Sequence, residues 1–115
     1  MASFIDAGRG VVQVFQSEQN FRIQIVGALM TLAAVFYFPL RKWEMVVLLL
    51  LVVMVLTMEM LNTALERFTD LLKPRLHHYV GTIKDIMAAA VLITSLGAFI
   101  IGIIILGPYF ISLLD

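Results

Sequence analysis

Cysteine is absent from this sequence, which excludes a disulfide framework and any thiolate metal site. Net charge is absent too: eight Lys and Arg balance eight Asp and Glu, so nothing favours nucleic acid as a partner. No internal repeat, linker or low-complexity stretch divides the chain, and 115 residues allow one domain. Neither a Walker A motif nor a protein-kinase glycine loop is present, so no familiar phosphate cradle announces a nucleotide.

What the chain has instead is hydrocarbon, at 62% hydrophobic residues, far above an ordinary soluble protein. Residues 23–40 contain no charge and are long enough to cross a hydrocarbon core of about 30 Å as a helix. Pro39-Leu40-Arg41-Lys42 closes that span, and Trp43 stands where an interfacial aromatic anchor belongs. A second span is predicted over 43–65; it requires Glu59 and Asn62 to lie within or just under the membrane surface. A third is predicted over 84–114, uncharged from Ile86 to Leu114, where Ala88, Ala89, Ala90, Ala98 and Gly102 allow close helix approach. That last stretch is too long and too late for a signal peptide, so all three spans are expected in the mature protein.

The first residues differ. Phe4, Gly8, Val11 and Phe15 recur at helical spacing, with Asp6, Arg9, Gln13 and Gln16 mostly elsewhere, which predicts an amphipathic surface helix over about 3–20. Gly8 and Gly10 weaken such a helix by roughly 1 kcal/mol each. The expected fold is therefore an all-α membrane protein of three transmembrane helices and a surface helix.

Lysine and arginine set the expected orientation. Arg9, Arg22, Arg67, Lys73, Arg75 and Lys84 lie on one side of this topology, and only Arg41 and Lys42 on the other. The N-terminus and the 67–84 loop should face the cytoplasm, with the C-terminus outside. Five of the eight acidic residues then share the cytoplasmic face: Glu18, Glu59, Glu66, Asp70 and Asp85. At about 100° per residue Glu59, Asn62, Glu66 and Asp70 form one stripe of the second helix, with Glu59 roughly 10 Å deeper than Glu66.

A carboxylate inside a bilayer is costly, by roughly 2.5 to 3.5 kcal/mol near the centre, and usually faces a partner or a wet cavity. One reading is that Glu59 and Asn62 merely hydrogen-bond neighbouring helices. The other is chemical. Two carboxylates on different helices suit a hard cation such as Mg²⁺, which takes its remaining ligands from water and phosphate, and a third, deeper and drier, is placed to accept a hydroxyl proton. Those are parts for phosphoryl transfer to an alcohol.

The stretch from Glu59 to Asp70, EMLNTALERFTD, resembles the E-x-x-N-[ST]-A-[IL]-E-x-x-x-D motif of the small prokaryotic diacylglycerol kinase family, which includes undecaprenol kinases. Glu18-Gln19-Asn20-Phe21-Arg22 is similar to that family's E-x-x-F-R segment, and the stretch from Lys84 to Leu92, KDIMAAAVL, to its K-D-x-x-[AS]-A-A-V-L segment. The resemblance implies a homotrimer in the bacterial cytoplasmic membrane, with sites between subunits, that moves the γ-phosphate of MgATP to a lipid hydroxyl. By position it implies Glu59 as general base, Glu18 and Glu66 as metal ligands, and Asn62, Lys84 and Asp85 as residues that hold nucleotide or order the site. Asp70 is a weaker nucleotide-side candidate, and Gly10 matches a family glycine where an absent side chain lets the backbone approach ATP. Met87 and Val14 depart from the family pattern, at positions that bear on packing beside the nucleotide or between subunits. Asn20-Phe21-Arg22-Ile23 looks more like the Gram-positive branch, where undecaprenol kinases are found.

The remaining polar residues read more plainly. Adjacent His77 and His78 in an exposed loop lack ligand spacing and are expected to be solvated or hydrogen-bonded at the lipid surface; the seven methionines are span filler; Arg22 is expected to pair with Glu18 four residues away or to touch phosphate. Two other functions stay open: an ion or proton transporter relaying through the same acids, and a structural trimer held by polar contacts.

Overall fold

The computed structural model describes residues 2–75 and 77–115. Four helices follow one another: α1 (Ala2–Ser17), α2 (Gln19–Tyr37), α3 (Lys42–Leu72) and α4 (His77–Leu114). The last three are long and apolar enough to cross a membrane. At 1.5 Å per residue α4 alone runs about 57 Å, which accounts for the long dimension of a 60 × 35 × 22 Å molecule.

Local chemistry sets the breaks. Glu18 is extended, at φ −117° and ψ 113°, so the first helix stops at Ser17 and the expected surface helix over 3–20 loses its last residues to α2. Arg22 secures this junction: its guanidinium donates to the carbonyls of Phe15 (2.7 Å) and Gln16 (3.0 Å), satisfying acceptors that a helix end leaves open. The expected pairing of Arg22 with Glu18 is not what forms, because a four-residue spacing makes neighbours only within a continuous helix. The residue before a proline is pushed out of helical geometry, so Phe38 is extended (φ −87°, ψ 150°) and α2 ends before Pro39 rather than at Leu40. In the first turn of α3 Glu44 accepts from the Arg41 backbone N–H at 2.9 Å, the reciprocal half of a capping box. At its other end α3 runs on to Leu72, beyond the expected span limit near 65. α4 likewise begins at His77, so His78 lies in a helical first turn instead of a loop; the His77 side chain is outside the described residues.

α3 is the centre of the bundle, with α2 and α4 packed along it and α1 resting on α2 and α3. Glu44 meets Tyr109, Leu48 packs with Ile105, and Asp70 meets Lys84, three points of one antiparallel register. Val35 beside Leu48 and Gln24 beside Glu59 mark the corresponding register of α2. The tightest apolar packing, around Val35, Leu48 and Ile105, lies toward the Arg41 end, so the opposite end is where polar groups find room. Most large apolar side chains of α4, such as Ile93, Phe99 and Ile104, are exposed, as expected of surface that faces lipid or another subunit.

Two polar clamps bracket the α3–α4 pair. At one end the Tyr109 hydroxyl donates to buried Glu44 at 2.5 Å; at the other Lys84 Nζ stands 2.6 Å from Asp70. From Glu44 to Asp70 α3 rises about 39 Å, more than the thickness of a hydrocarbon core, so the two clamps cannot both lie inside the apolar slab. Because Glu44 holds Tyr109 and the Arg41 N–H together, Tyr109→Phe and Glu44→Ala should each lower the melting temperature in detergent, and the double variant should fall no further than the larger single. Additive losses would show that the two groups act separately.

Candidate functional site

Glu59 is 3% exposed, deep on α3, about 16 Å along the helix from Asp70. Gln24, one turn into α2, reaches it: the amide Nε2 donates to Glu59 Oε2 over a long 3.4 Å. Glu18, in the break between α1 and α2, and Glu66, two turns further along α3, both lie within electrostatic range of Glu59. Three carboxylates from the chain's two distant acidic segments therefore share one region.

The α3 stripe continues outward as a ladder. Asn62 donates to Glu66 Oε1 at 3.2 Å, fixing the carboxylate while leaving its second oxygen to other partners. Thr63 and Thr69, 2% and 1% exposed, close the inner side; their hydroxyls donate to the Glu59 carbonyl (3.1 Å) and the Glu66 carbonyl (3.0 Å). Arg67 donates to Ser17 Oγ at 2.7 Å, tying α3 to the end of α1. Beyond it the Asp70–Lys84 pair joins α3 to α4; both side chains remain partly exposed. Asp85 is exposed beside Lys84. Gly10 lies apart on α1, and a Cβ there would meet no heavy atom within 4 Å, so nothing inside the subunit requires a glycine. Val14 is buried where α1 meets the bundle, and Met87 is half-buried on α4.

Among the described residues no group of three or more His, Asp or Glu side chains gathers as a ready metal cage. The donors at hand are Glu18 and Glu66, two carboxylates on separate elements. That set fits Mg²⁺, which typically keeps one or two protein carboxylates and completes an octahedron with water and phosphate oxygens; it does not fit a cation that needs an all-protein cage.

Sequence reasoning passed over Gln24, Glu44 and the two buried threonines. For Gln24 the pattern offered only a neutral amide at the second position of the uncharged 23–40 span; the other three depend on partners that the one-dimensional pattern does not place together.

Residues 6–106 match the family described as prokaryotic diacylglycerol kinase. The undecaprenol kinase of Bacillus subtilis is 33% identical over 106 residues, covering 92% of this chain and 86% of that protein. The diacylglycerol kinase of Synechocystis sp. is 35% identical over 115 residues, covering 99% of this chain and 66% of that protein. Two relatives of nearly equal identity thus carry different acceptor names, and overall identity does not choose between the two acceptors. Most of the chain, including every site residue named above, falls inside the family match, and this three-span membrane protein belongs to the prokaryotic diacylglycerol kinase family.

Proposed function

We propose that this protein is an ATP-dependent lipid kinase that transfers the γ-phosphate of MgATP to the hydroxyl of a membrane lipid, diacylglycerol or undecaprenol, at the cytoplasmic interface. Family membership and the kinase names of both relatives support the alcohol phosphotransferase class. The observation that carries the site reading is buried Glu59 with Glu18 and Glu66 around it at one end of a membrane-spanning bundle. A transporter is not favoured, since it needs acids spread through the membrane, and from Ile86 to Leu114 α4 has none.

In this reading Glu59 takes the acceptor proton as the lipid oxygen bonds to the γ-phosphorus and the bond to the β-phosphate oxygen breaks, releasing ADP. Glu18 and Glu66 hold the metal. When bound, Mg²⁺ neutralises charge on the phosphate oxygens. Asn62 keeps Glu66 in place, Lys84 and Asp85 serve the nucleotide, Asp70 steers Lys84, and Gly10 leaves room for ATP. The subunit belongs to a homotrimer with sites completed between neighbours. α1 lies on the cytoplasmic surface, a placement supported by its exposed Phe4, Ile5, Val11 and Phe15, and the C-terminus faces outward.

The direct test is transfer of labelled phosphate from ATP by the purified trimer, offered diacylglycerol and undecaprenol at matched surface concentration. Incorporation into neither lipid would end the proposal; the preferred acceptor identifies the substrate. On the nucleotide side, Lys84→Met should raise the KM for ATP about tenfold or more, the worth of one charge-assisted contact. Asp70→Asn should change it only about two- to threefold, because an exposed ion pair holds its lysine weakly. Equal effects of the two substitutions would mean that Lys84 acts only through its partner.

A further inference from the structure

The two carboxylates proposed as metal ligands differ in how they are held. Glu66 is fixed on α3: Asn62 donates to its Oε1 at 3.2 Å, and the Thr69 hydroxyl donates to its carbonyl at 3.0 Å. Glu18 is not fixed in this way. It stands extended between α1 and α2, and its side chain makes no capping hydrogen bond to α2. Its backbone N–H donates to the Val14 carbonyl at 2.9 Å, so Glu18 goes where the end of α1 goes. α1 itself exposes Phe4, Ile5, Val11, Val12 and Phe15, and a helix with so little buried surface is held weakly by packing.

Among the described residues one side-chain hydrogen bond joins α1 to α3: Arg67 donates from Nη2 to Ser17 Oγ at 2.7 Å. The hydroxyl donates its own proton to the Gln13 carbonyl at 2.8 Å, which leaves its lone pairs for the guanidinium. Ser17 immediately precedes Glu18, and Arg67 immediately follows Glu66. The bond therefore links the two residues that adjoin the two carboxylates. Arg22 also grips the end of α1, through the carbonyls of Phe15 and Gln16, but it belongs to α2 and gives no register against α3. We propose that Arg67 is a positioning residue: by holding Ser17 it sets Glu18 against Glu66, so that carboxylates on two separate elements can share one divalent cation. The inference rests on the metal reading above and adds what aligns its two ligands. Mg²⁺ demands oxygen donors at about 2.0 to 2.1 Å in near-octahedral geometry, so a loose α1 weakens the site even when both carboxylates are present.

Charge alone predicts the opposite sign. Removing a cation beside a metal site should tighten metal binding, whereas removing a tie should loosen it. The test measures Mn²⁺, which takes the same oxygen donors as Mg²⁺, retained by purified protein in equilibrium dialysis with an ATP analogue whose β and γ phosphorus atoms are joined by a methylene group. Arg67→Met and Ser17→Ala should each weaken Mn²⁺ retention about three- to tenfold, the worth of one charge-assisted hydrogen bond at an exposed position. The double variant should lose no more than the larger single, and Ser17→Thr, which keeps the hydroxyl, should retain Mn²⁺ as wild type does. In phosphate transfer the two single variants should need more Mg²⁺ and recover the wild-type rate in excess Mg²⁺, with the lipid KM unchanged. If Arg67→Met fails to fold, the contrast between Ser17→Ala and Ser17→Thr carries the test alone. Unchanged or tighter Mn²⁺ retention in Arg67→Met, additive losses in the double variant, no retention of function by threonine, or a rate deficit that excess Mg²⁺ does not recover would each overturn the inference; the last would make Arg67 an anchor of α1 and nothing more. Wild-type protein that retains no Mn²⁺ would overturn the metal reading and the positioning role with it. Retention lost in Glu66→Gln but unchanged in both Ser17→Ala and Arg67→Met would overturn the positioning role alone.

Discussion

Glu59→Gln should abolish phosphate transfer to lipid, by about 10² to 10⁴-fold in kcat, while leaving the protein at least as stable as before. The two halves of this result come from one feature. A carboxylate at 3% exposure, part-way into a bilayer, costs insertion energy, and its neutral isostere does not. The amide keeps the side chain's length, and its carbonyl still accepts from Gln24, so the contact between α2 and α3 survives. What the amide lacks is a lone pair basic enough to take the hydroxyl proton. A general base worth that factor lowers the barrier by about 3 to 5 kcal/mol. If Glu59 were only a polar tie between helices, the same substitution would keep the tie and leave activity near normal. Labelled-phosphate transfer and thermal denaturation of one preparation separate these outcomes.

Glu59 was legible in the sequence because hydrocarbon makes a carboxylate conspicuous. Its stripe with Asn62, Glu66 and Asp70 was legible because helical periodicity alone places those residues on one face. Gln24 was not: a neutral amide in a span carries no charge to attract notice, and its meaning came only when α2 was laid against α3 in register. The clamp between Glu44 and Tyr109, 65 residues apart, depends likewise on how α4 returns along α3. Helix ends shifted for local reasons. Pro39 dictated the end of α2, whereas nothing in the residue pattern around Glu18 announced an extended residue between two helices. That break is what sends Arg22 back to the carbonyls of α1 and leaves Glu18 without its expected partner. A carboxylate so released is available to the region around Glu59, which makes the misread pair and the candidate metal ligand two aspects of one local structure.

The metal assignment makes a second large prediction, and it separates Glu66 from Glu59 although both are carboxylates on one helix. Glu66→Gln should raise the Mg²⁺ concentration for half-maximal activity by about tenfold or more, in the range that loss of a metal-site group produces, and lower the rate at physiological Mg²⁺ by about 10²-fold. Asn62 donates to Glu66 Oε1 at 3.2 Å, and a glutamine carbonyl accepts that bond equally well, so the side chain keeps its place and only the charge is lost. Excess Mg²⁺ should then recover part of the activity of Glu66→Gln by mass action. It should recover none for Glu59→Gln, whose defect is a missing base. A titration of rate against Mg²⁺ for both variants reads the difference directly: a curve displaced along the concentration axis for Glu66→Gln, and one lowered without displacement for Glu59→Gln. Identical curves would mean that the two carboxylates do the same work, and the depth that separates them, roughly 10 Å along α3, would then have no chemical meaning.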